Sequence, residues 1–231
     1  MRQIELNDAT AHVEAMARAV AGELERTLAE KGHACLAVSG GRSPLPLFEA
    51  LQQRPLPWDR VSVVLVDERM VPLDHTDSNA RLVCDRLLRQ AASRASFQPP
   101  VPPFCTAIDE IDASAVVAGL NRNYRQPDLV ILGMGEDGHT ASLFPDAPEL
   151  PEGLSLNEPP GYLGLSPRAA PHRRVSLNLS ALLGADRVLL GFSGPWKKQV
   201  FDAATLKPTP MLPVSYLLHQ QRTPVDVYWT P

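Results

Sequence analysis

Asp137 and His139 stand one residue apart on a glycine-rich stretch, Gly133-Met134-Gly135-Glu136-Asp137-Gly138-His139. A carboxylate beside an imidazole fixes its tautomer and raises its basicity, which makes a general base near neutral pH. A capping Asp and a backbone-bonded His would have the same spacing. His139 is the only one of six histidines set among glycines behind an apolar run, Leu129–Leu132; His12 falls on a helical pattern, and His33, His75, His172 and His219 have no comparable setting. A second polar turn, Ser39-Gly40-Gly41-Arg42-Ser43-Pro44, follows the run Ala34–Val38. Two glycines at a strand-to-helix turn let backbone N–H groups close on an anion, the helix start adds partial positive charge, and Ser39, Arg42 and Ser43 bring further donors. A plain tight turn is the other reading. Asp67-Glu68-Arg69 places three charges directly behind the run Val61–Val66, as a site cluster or a surface salt-bridge group. Lys197 and Lys198 open a helical pattern just after Gly194, where cations oppose the helix dipole; an anionic ligand would account for them, as would simple solvation. The pair Arg173-Arg174 has the same ambiguity.

Other chemistries fit less well. Gly133–Gly138 matches GxGxxG, but a dinucleotide site needs that motif inside a βαβ unit with an acidic residue about 20 positions on. A Pro-rich stretch follows instead, and no GK[ST] phosphate loop is present. Asp74, His75 and Asp77 offer oxygen and nitrogen ligands, yet no second His or Cys cluster stands at ligand spacing, so no metal site is expected. Cys35, Cys84 and Cys105 are far apart and odd in number, which speaks against a disulfide framework and for a reducing compartment.

These residues need a scaffold, and the composition supplies one. The 231 residues are 44% hydrophobic, ample for a core, with a formal charge of 22 − 26 = −4. That balance argues against nucleic-acid binding, which requires clustered Lys and Arg, while a few placed cations can still hold an anionic substrate. The first ten residues lack the apolar core of a signal peptide, and no apolar run reaches the length of about 18 of a membrane span. A cytoplasmic protein without membrane partners is expected.

The periodicity predicts helices from Asn7 or Asp8 to Lys31, from about Pro44, and at Asn79–Gln90, Ala113–Tyr124, Pro195–Ala204 and Pro213–Gln220. Strands are expected at Ala34–Val38, Val61–Val66 (buried on both faces), Phe104–Ile108, Leu129–Leu132, Val175–Leu177, Val188–Phe192 and Val225–Trp229. Pro148–Pro171 reads as a surface loop with a short strand near Tyr162. Alternation of strands and helices implies one α/β domain over residues 1–231, a mostly parallel, Rossmann-like sheet flanked by helices on both faces. Ligands of such sheets bind beyond the strands' carboxyl ends, where the four polar motifs fall.

Together these motifs resemble the 6-phosphogluconolactonase family. The carrying segments are Ser39–Pro44, Asp67-Glu68-Arg69-Met70-Val71-Pro72 with Ser78-Asn79, Gly133–Pro145 (ending His139-Thr140-Ala141-Ser142-Leu143-Phe144-Pro145), Arg174-Val175-Ser176-Leu177 and Gly194-Pro195-Trp196-Lys197. The resemblance implies the sheet type shared with glucosamine-6-phosphate deaminase and ribose-5-phosphate isomerase. It further implies hydrolysis of 6-phosphoglucono-1,5-lactone in the oxidative pentose phosphate pathway, without metal or cofactor, by a monomer or small homo-oligomer. By motif match His139 would be the base and Asp137 its partner. Ser39, Gly40, Gly41, Arg42, Ser43, Asp67, Arg69, Arg174 and Lys197 would bind substrate. The deaminase of the same superfamily would carry a residue other than Arg after Asp67-Glu68 and Ile-Ala-Phe-Asn in place of Thr140–Leu143. A non-catalytic sugar-phosphate sensor would need a DNA-binding helix pair for which no residues are spare.

Overall fold

The computed structural model describes residues Met1–Pro231. Its strands are β1 (Arg2–Glu5), β2 (Ala34–Val38), β3 (Val61–Leu65), β4 (Asp67–Arg69), β5 (Ser96–Phe97), β6 (Leu129–Leu132), β7 (Tyr162–Leu165), β8 (Arg174–Leu177), β9 (Arg187–Ser193) and β10 (Val225–Thr230). Its α-helices are α1 (Ala9–Lys31), α2 (Leu45–Leu51), α3 (Asn79–Arg86), α4 (Ala113–Arg122), α5 (Leu150–Leu154), α6 (Leu179–Leu182), α7 (Pro195–Ala204) and α8 (Val214–His219).

Local chemistry sets the longest helix. Asp8 accepts the Ala11 N–H at 2.8 Å, and Gly32 ends the helix at φ +78° while its N–H bonds Leu28 O at 3.0 Å. Met16, Val20, Leu24 and Leu28 form its buried stripe, on the helix that packs against β2, β6, β9 and β10. Such side chains contribute about 1.5–3 kcal/mol each when fully buried. On the opposite face of the sheet, Phe201, Val214 and Leu217 cover Leu132, Leu190 and Val227.

Seven strands form an entirely parallel sheet in the order β1-β10-β9-β6-β2-β3-β5. From β2 the chain builds outward through β3 to β5, then returns to lay β6 on the other side of β2. Strand order therefore reverses between β2 and β6, and a crevice opens at their carboxyl ends. The turns that leave those two ends are Ser39–Pro44 and Gly133–His139.

Several expectations need correction. The segment Val175–Leu177 does not join the parallel sheet: β8 lies in a separate antiparallel sheet of order β4-β8-β7. The charged triplet Asp67–Arg69 is itself a strand of that sheet. Val66 is the joint, since its N–H bonds Val38 O in the large sheet while its carbonyl accepts the Leu177 N–H of the small one. Only alternate residues of β3 are fully buried: Val61, Val63 and Leu65 face one core, while Ser62 and Val64 on the opposite face are only partly covered. Phe104–Ile108 is not a strand. Two prolines precede it, the Cys105 N–H turns back to Pro102 O, and Phe104 is 79% exposed. Helix α3 stops at Arg86 because buried Leu87 and Ala92 both pack on the same core, which requires the chain to turn through Gln90 at φ +48°. The Pro-rich segment after Pro148 has the strand expected near Tyr162, β7, but it is not a surface loop: it also contains α5 and buries Leu150, Leu154, Leu163 and Leu165. Strand β1, from the mostly polar Arg2–Glu5, has no counterpart among the expected elements.

Candidate functional site

The turn after β6 is closed by its own backbone. Gly135 N donates to His139 O at 2.9 Å, Gly138 N to Gly135 O at 3.1 Å, and Thr140 Oγ1 to Gly133 O at 2.9 Å. Asp137 Oδ1 accepts both the His139 backbone N–H at 3.1 Å and the His139 Nδ1 proton at 2.5 Å. The capping and tautomer-fixing readings of this carboxylate thus hold together. With an acceptor on Nδ1, the hydrogen-bond network assigns the proton there and leaves the lone pair on Nε2. A Cβ on Gly135 would collide with the His139 ring and lie 2.6 Å from Asp137 Oδ1, so the approach requires glycine. The imidazole stacks on Phe144 with centroids 4.1 Å apart. Burial pushes the Asp137 carboxyl upward, but its bond and charge interaction with His139 outweigh that and hold it below its ordinary value.

His139 opens on a cavity of about 440 Å³ at the β2/β6 crevice. Arg174, from the small sheet, is 6% exposed; its guanidinium carbon lies 5.8 Å from the centroid of Phe144, the ring on which His139 stacks. Burial, then repulsion from Arg69, holds the Arg174 pKa below its ordinary value. Arg69 Nη1 donates to Asp77 O at 2.6 Å and Arg174 Nη2 to Pro171 O at 3.0 Å, so both arginines are braced by backbone carbonyls rather than by carboxylates. Six buried side-chain atoms lack a hydrogen-bond partner, and four of them, Arg69 Nε, Arg174 Nε, Asn79 Oδ1 and Thr230 Oγ1, belong to residues lining this one cavity. Unpaired buried polar groups are costly, and their concentration here marks a place prepared for a polar ligand.

The glycine turn forms another wall. Ser39 Oγ donates to Ile131 O at 3.1 Å, tying the end of β2 to β6. A Cβ on Gly40 would overlap the Asn79 side chain, which is itself held by a bond from its Nδ2 to Asp67 O at 2.9 Å. Arg42 and Ser43 are exposed at the rim. Buried Asp67 accepts a 2.5 Å bond from Ser142 Oγ, joining the β4 strand to the His139 segment across 75 residues. Two successive lysines on α7 separate cleanly. Lys197 lines the cavity, whereas Lys198 Nζ pairs with Asp202 at 2.5 Å and sits 5.2 Å over the Trp229 ring.

Glu68 points away from the cavity. It accepts the N–H groups of Arg69, Asn79 and Ala80 at 2.7, 2.8 and 2.7 Å and the Ser78 hydroxyl at 3.2 Å, so it anchors the start of α3. Burial raises its carboxyl from 4.5 to about 7 despite those backbone bonds. Because the folded pKa is the higher one, folding takes up a proton between those values. The associated stabilisation is complete below 4.5 and disappears as pH rises through about 7. Urea unfolding should therefore show stability falling by on the order of 3 kcal/mol over that interval. The slope should flatten in Glu68→Gln; an identical slope in the variant would assign the proton uptake to another group.

Of the residues expected from the sequence, Ser39, Gly40, Gly41, Arg42, Ser43, Asp67, Arg69, His139, Arg174 and Lys197 all line the cavity, and Asp137 supports it from behind His139. Asn79, Ser142, Phe144, His12 and Thr230 also line it and are not among the expected site residues. Asn79, Ser142 and Phe144 fall inside the quoted motif segments, so motif membership is their signal. His12 reaches the cavity from α1, and nothing local marks it. A wider groove of about 620 Å³, lined by Leu73, Arg81, Asp85 and Pro103 among others, contains no cavity residue of the motif set. The trio Asp74, His75 and Asp77 is not a cluster as such: His75 and Asp77 meet His172, and Asp74 stands apart.

Residues 7–229 match the family model described as glucosamine-6-phosphate isomerases/6-phosphogluconolactonase. A 6-phosphogluconolactonase of Neisseria meningitidis is 40% identical over 225 residues, covering 97% of both chains, and one of Pseudomonas putida is 41% identical, covering 98% of this chain and 92% of its own. The solved structure of a 6-phosphogluconolactonase from Shewanella baltica is 35% identical, with a TM-score of 0.90 over 100% of this chain and 98% of that one. A monomeric glucosamine-6-phosphate deaminase shares the fold, with a TM-score of 0.73 at 18% identity over 98% of this chain and 97% of that one. No helix is long and apolar enough to cross a membrane.

Proposed function

Because this chain belongs to the glucosamine-6-phosphate isomerase/6-phosphogluconolactonase family, we propose that it hydrolyses 6-phosphoglucono-1,5-lactone to 6-phosphogluconate, with His139 as general base. The relatives' shared activity, at about 40% identity across nearly the whole chain, supports the lactone hydrolysis. The observation that carries the mechanism is the 2.5 Å Asp137–His139 pair at the edge of a cavity lined by Arg69, Arg174 and Lys197.

A lactone carbonyl is already electrophilic, so water suffices as the nucleophile. His139 Nε2 takes a proton from water as its oxygen bonds to C1. Asp137 keeps the Nδ1 proton in place and stabilises the imidazolium that forms. Negative charge then collects on the carbonyl oxygen. Arg174, which shares the Phe144 ring with His139, is the cation best placed to hold it. As the tetrahedral centre collapses, the C1–O5 bond breaks and the ring oxygen takes the proton back from His139. The distant phosphate is held by Lys197 and the Ser39–Ser43 turn, so binding energy remote from C1 orients the ring. Asp67, fixed by Ser142, and Arg69 contact the sugar hydroxyls. The chain acts as one domain over residues 1–231 in the cytoplasm, alone or as a small homo-oligomer, in the oxidative pentose phosphate pathway.

Base consumption with freshly made 6-phosphogluconolactone tests the reaction. The expected result is a rate above spontaneous opening, undiminished by chelators, with no ammonia from glucosamine 6-phosphate. Ammonia release without lactone hydrolysis would overturn the reading in favour of the deaminase chemistry of the same family.

A further inference from the structure

The segment after Arg69 and the Pro-rich segment before Arg174 are drawn to one spot, where three groups meet that the reaction above does not use. His172 Nε2 is 3.0 Å from Asp77 Oδ2, and His75 Nδ1 is 4.0 Å from the same oxygen. The two imidazoles pack edge to face with centroids 5.3 Å apart, and the three ligand atoms lie within 4.8 Å of one another. We propose that His75, Asp77 and His172 form a binding site for a divalent cation of the zinc class, beside the substrate cavity and separate from the Asp137–His139 pair.

Two imidazole nitrogens and one carboxylate oxygen make a three-ligand zinc set that leaves a fourth position for water. Zinc–ligand bonds of about 2.0–2.2 Å in tetrahedral geometry place the ligand atoms roughly 3.3–3.6 Å apart. The observed 3.0 and 4.0 Å separations from the Asp77 oxygen bracket that spacing, and the two imidazole nitrogens lie within 4.8 Å of each other, so side-chain rotation toward a common centre would be needed to seat an ion. His75 Nδ1 accepts the Asp77 N–H at 3.1 Å; it therefore carries a lone pair rather than a proton, and an ion would take that lone pair over from the backbone N–H. His172 also sits at φ +68°, a left-handed conformation uncommon for a residue with a side chain, at the position that aims its ring at Asp77.

The ion would act as a clip. The carbonyl of Asp77 braces Arg69, and the carbonyl of Pro171, next to His172, braces Arg174. A cation on His75, Asp77 and His172 thus joins the two segments that carry the cavity's arginines, while taking no part in the proton transfers.

Chelator-treated protein titrated with Co²⁺, read by visible absorption, and with Zn²⁺, read by calorimetry, tests the site. The wild type should bind one ion per chain, and added Zn²⁺ should raise its Tm. His75→Ala and His172→Asn should each weaken binding at least roughly tenfold and lose the Tm rise. Asparagine is chosen at 172 because it tolerates the left-handed backbone, so the imidazole is removed without an added folding cost. His139→Ala should bind the ion as the wild type does. The proposal is overturned by no binding up to about 1 mM metal, by unchanged binding in His172→Asn, or by loss of binding in His139→Ala, which would put the ion on the Asp137–His139 pair.

Discussion

His139→Ala is expected to lower kcat for the phosphorylated lactone by roughly 10²- to 10⁴-fold, with the fold intact. The range is that of a general base positioned on its proton. Its upper part applies if water in the cavity cannot reach another acceptor. Folding should survive because the turn is held by backbone bonds, Gly135 N to His139 O and Gly138 N to Gly135 O, and by the Thr140 hydroxyl, none of which needs the imidazole. Asp137→Asn should be milder in kcat and more mixed in cause, because Asp137 also accepts the His139 backbone N–H. A pH profile separates the two roles: loss of the base removes the acidic limb of kcat, whereas a loosened turn leaves the limb and lowers the plateau. Near-normal kcat in His139→Ala would pass the base role to Asp67, a carboxylate that lines the cavity. Glu68 is no substitute, being committed to the start of α3.

The second large effect separates two adjacent lysines. Lys197→Ala should cost about 1.5–3 kcal/mol of transition-state binding, the value of one charge-assisted hydrogen bond, or roughly 10- to 150-fold in kcat/KM. Lys198→Ala should leave kcat/KM nearly unchanged. Successive residues on a helix diverge by about 100°, and here the divergence sends Lys197 to the cavity and Lys198 to Asp202 and the Trp229 ring. Lys197 has no carboxylate within salt-bridge distance, so its charge is free for a ligand. The decisive comparison is the preference for phosphorylated over unphosphorylated gluconolactone, which Lys197→Ala should reduce and Lys198→Ala should not. Equal behaviour of the two variants, or a larger loss in Lys198→Ala, would move the phosphate away from α7.

Much of the site can be read from the chain because its parts are local. Asp137 and His139 are one residue apart, so their contact requires only the turn that Gly135 and Gly138 permit. The Ser39–Pro44 and Gly133–His139 turns each follow a short apolar run, and a parallel sheet sends such turns to one edge. Helical periodicity separates Lys197 from Lys198 by about 100°, while the choice of Lys197 for the substrate comes from the match of Gly194-Pro195-Trp196-Lys197 to the family. Family resemblance extends this to Arg69 and Arg174, which no local pattern distinguishes from surface arginines such as Arg173.

What the sequence determined by itself is therefore what a few consecutive residues settle energetically: the Asp8 cap and Gly32 stop of α1, the apolar runs of β2 and β6, and the Asp137–His139 pair. Tertiary structure alone decided which distant segments share a site. It turned Asp67–Arg69 from a loop into a strand paired with Arg174–Ser176, bonded Ser142 to Asp67 across 75 residues, and brought His172 to Asp77 across 95. It also withdrew Phe104–Ile108 from any sheet, where the Cys105 N–H turns back to Pro102 O instead. The physical reason is that a cap or an amphipathic stripe draws its stabilisation from neighbours within a turn or two. A contact across 75 or 95 residues is stable only once the cores on both faces of the sheet have closed around it, and no local window records that closure.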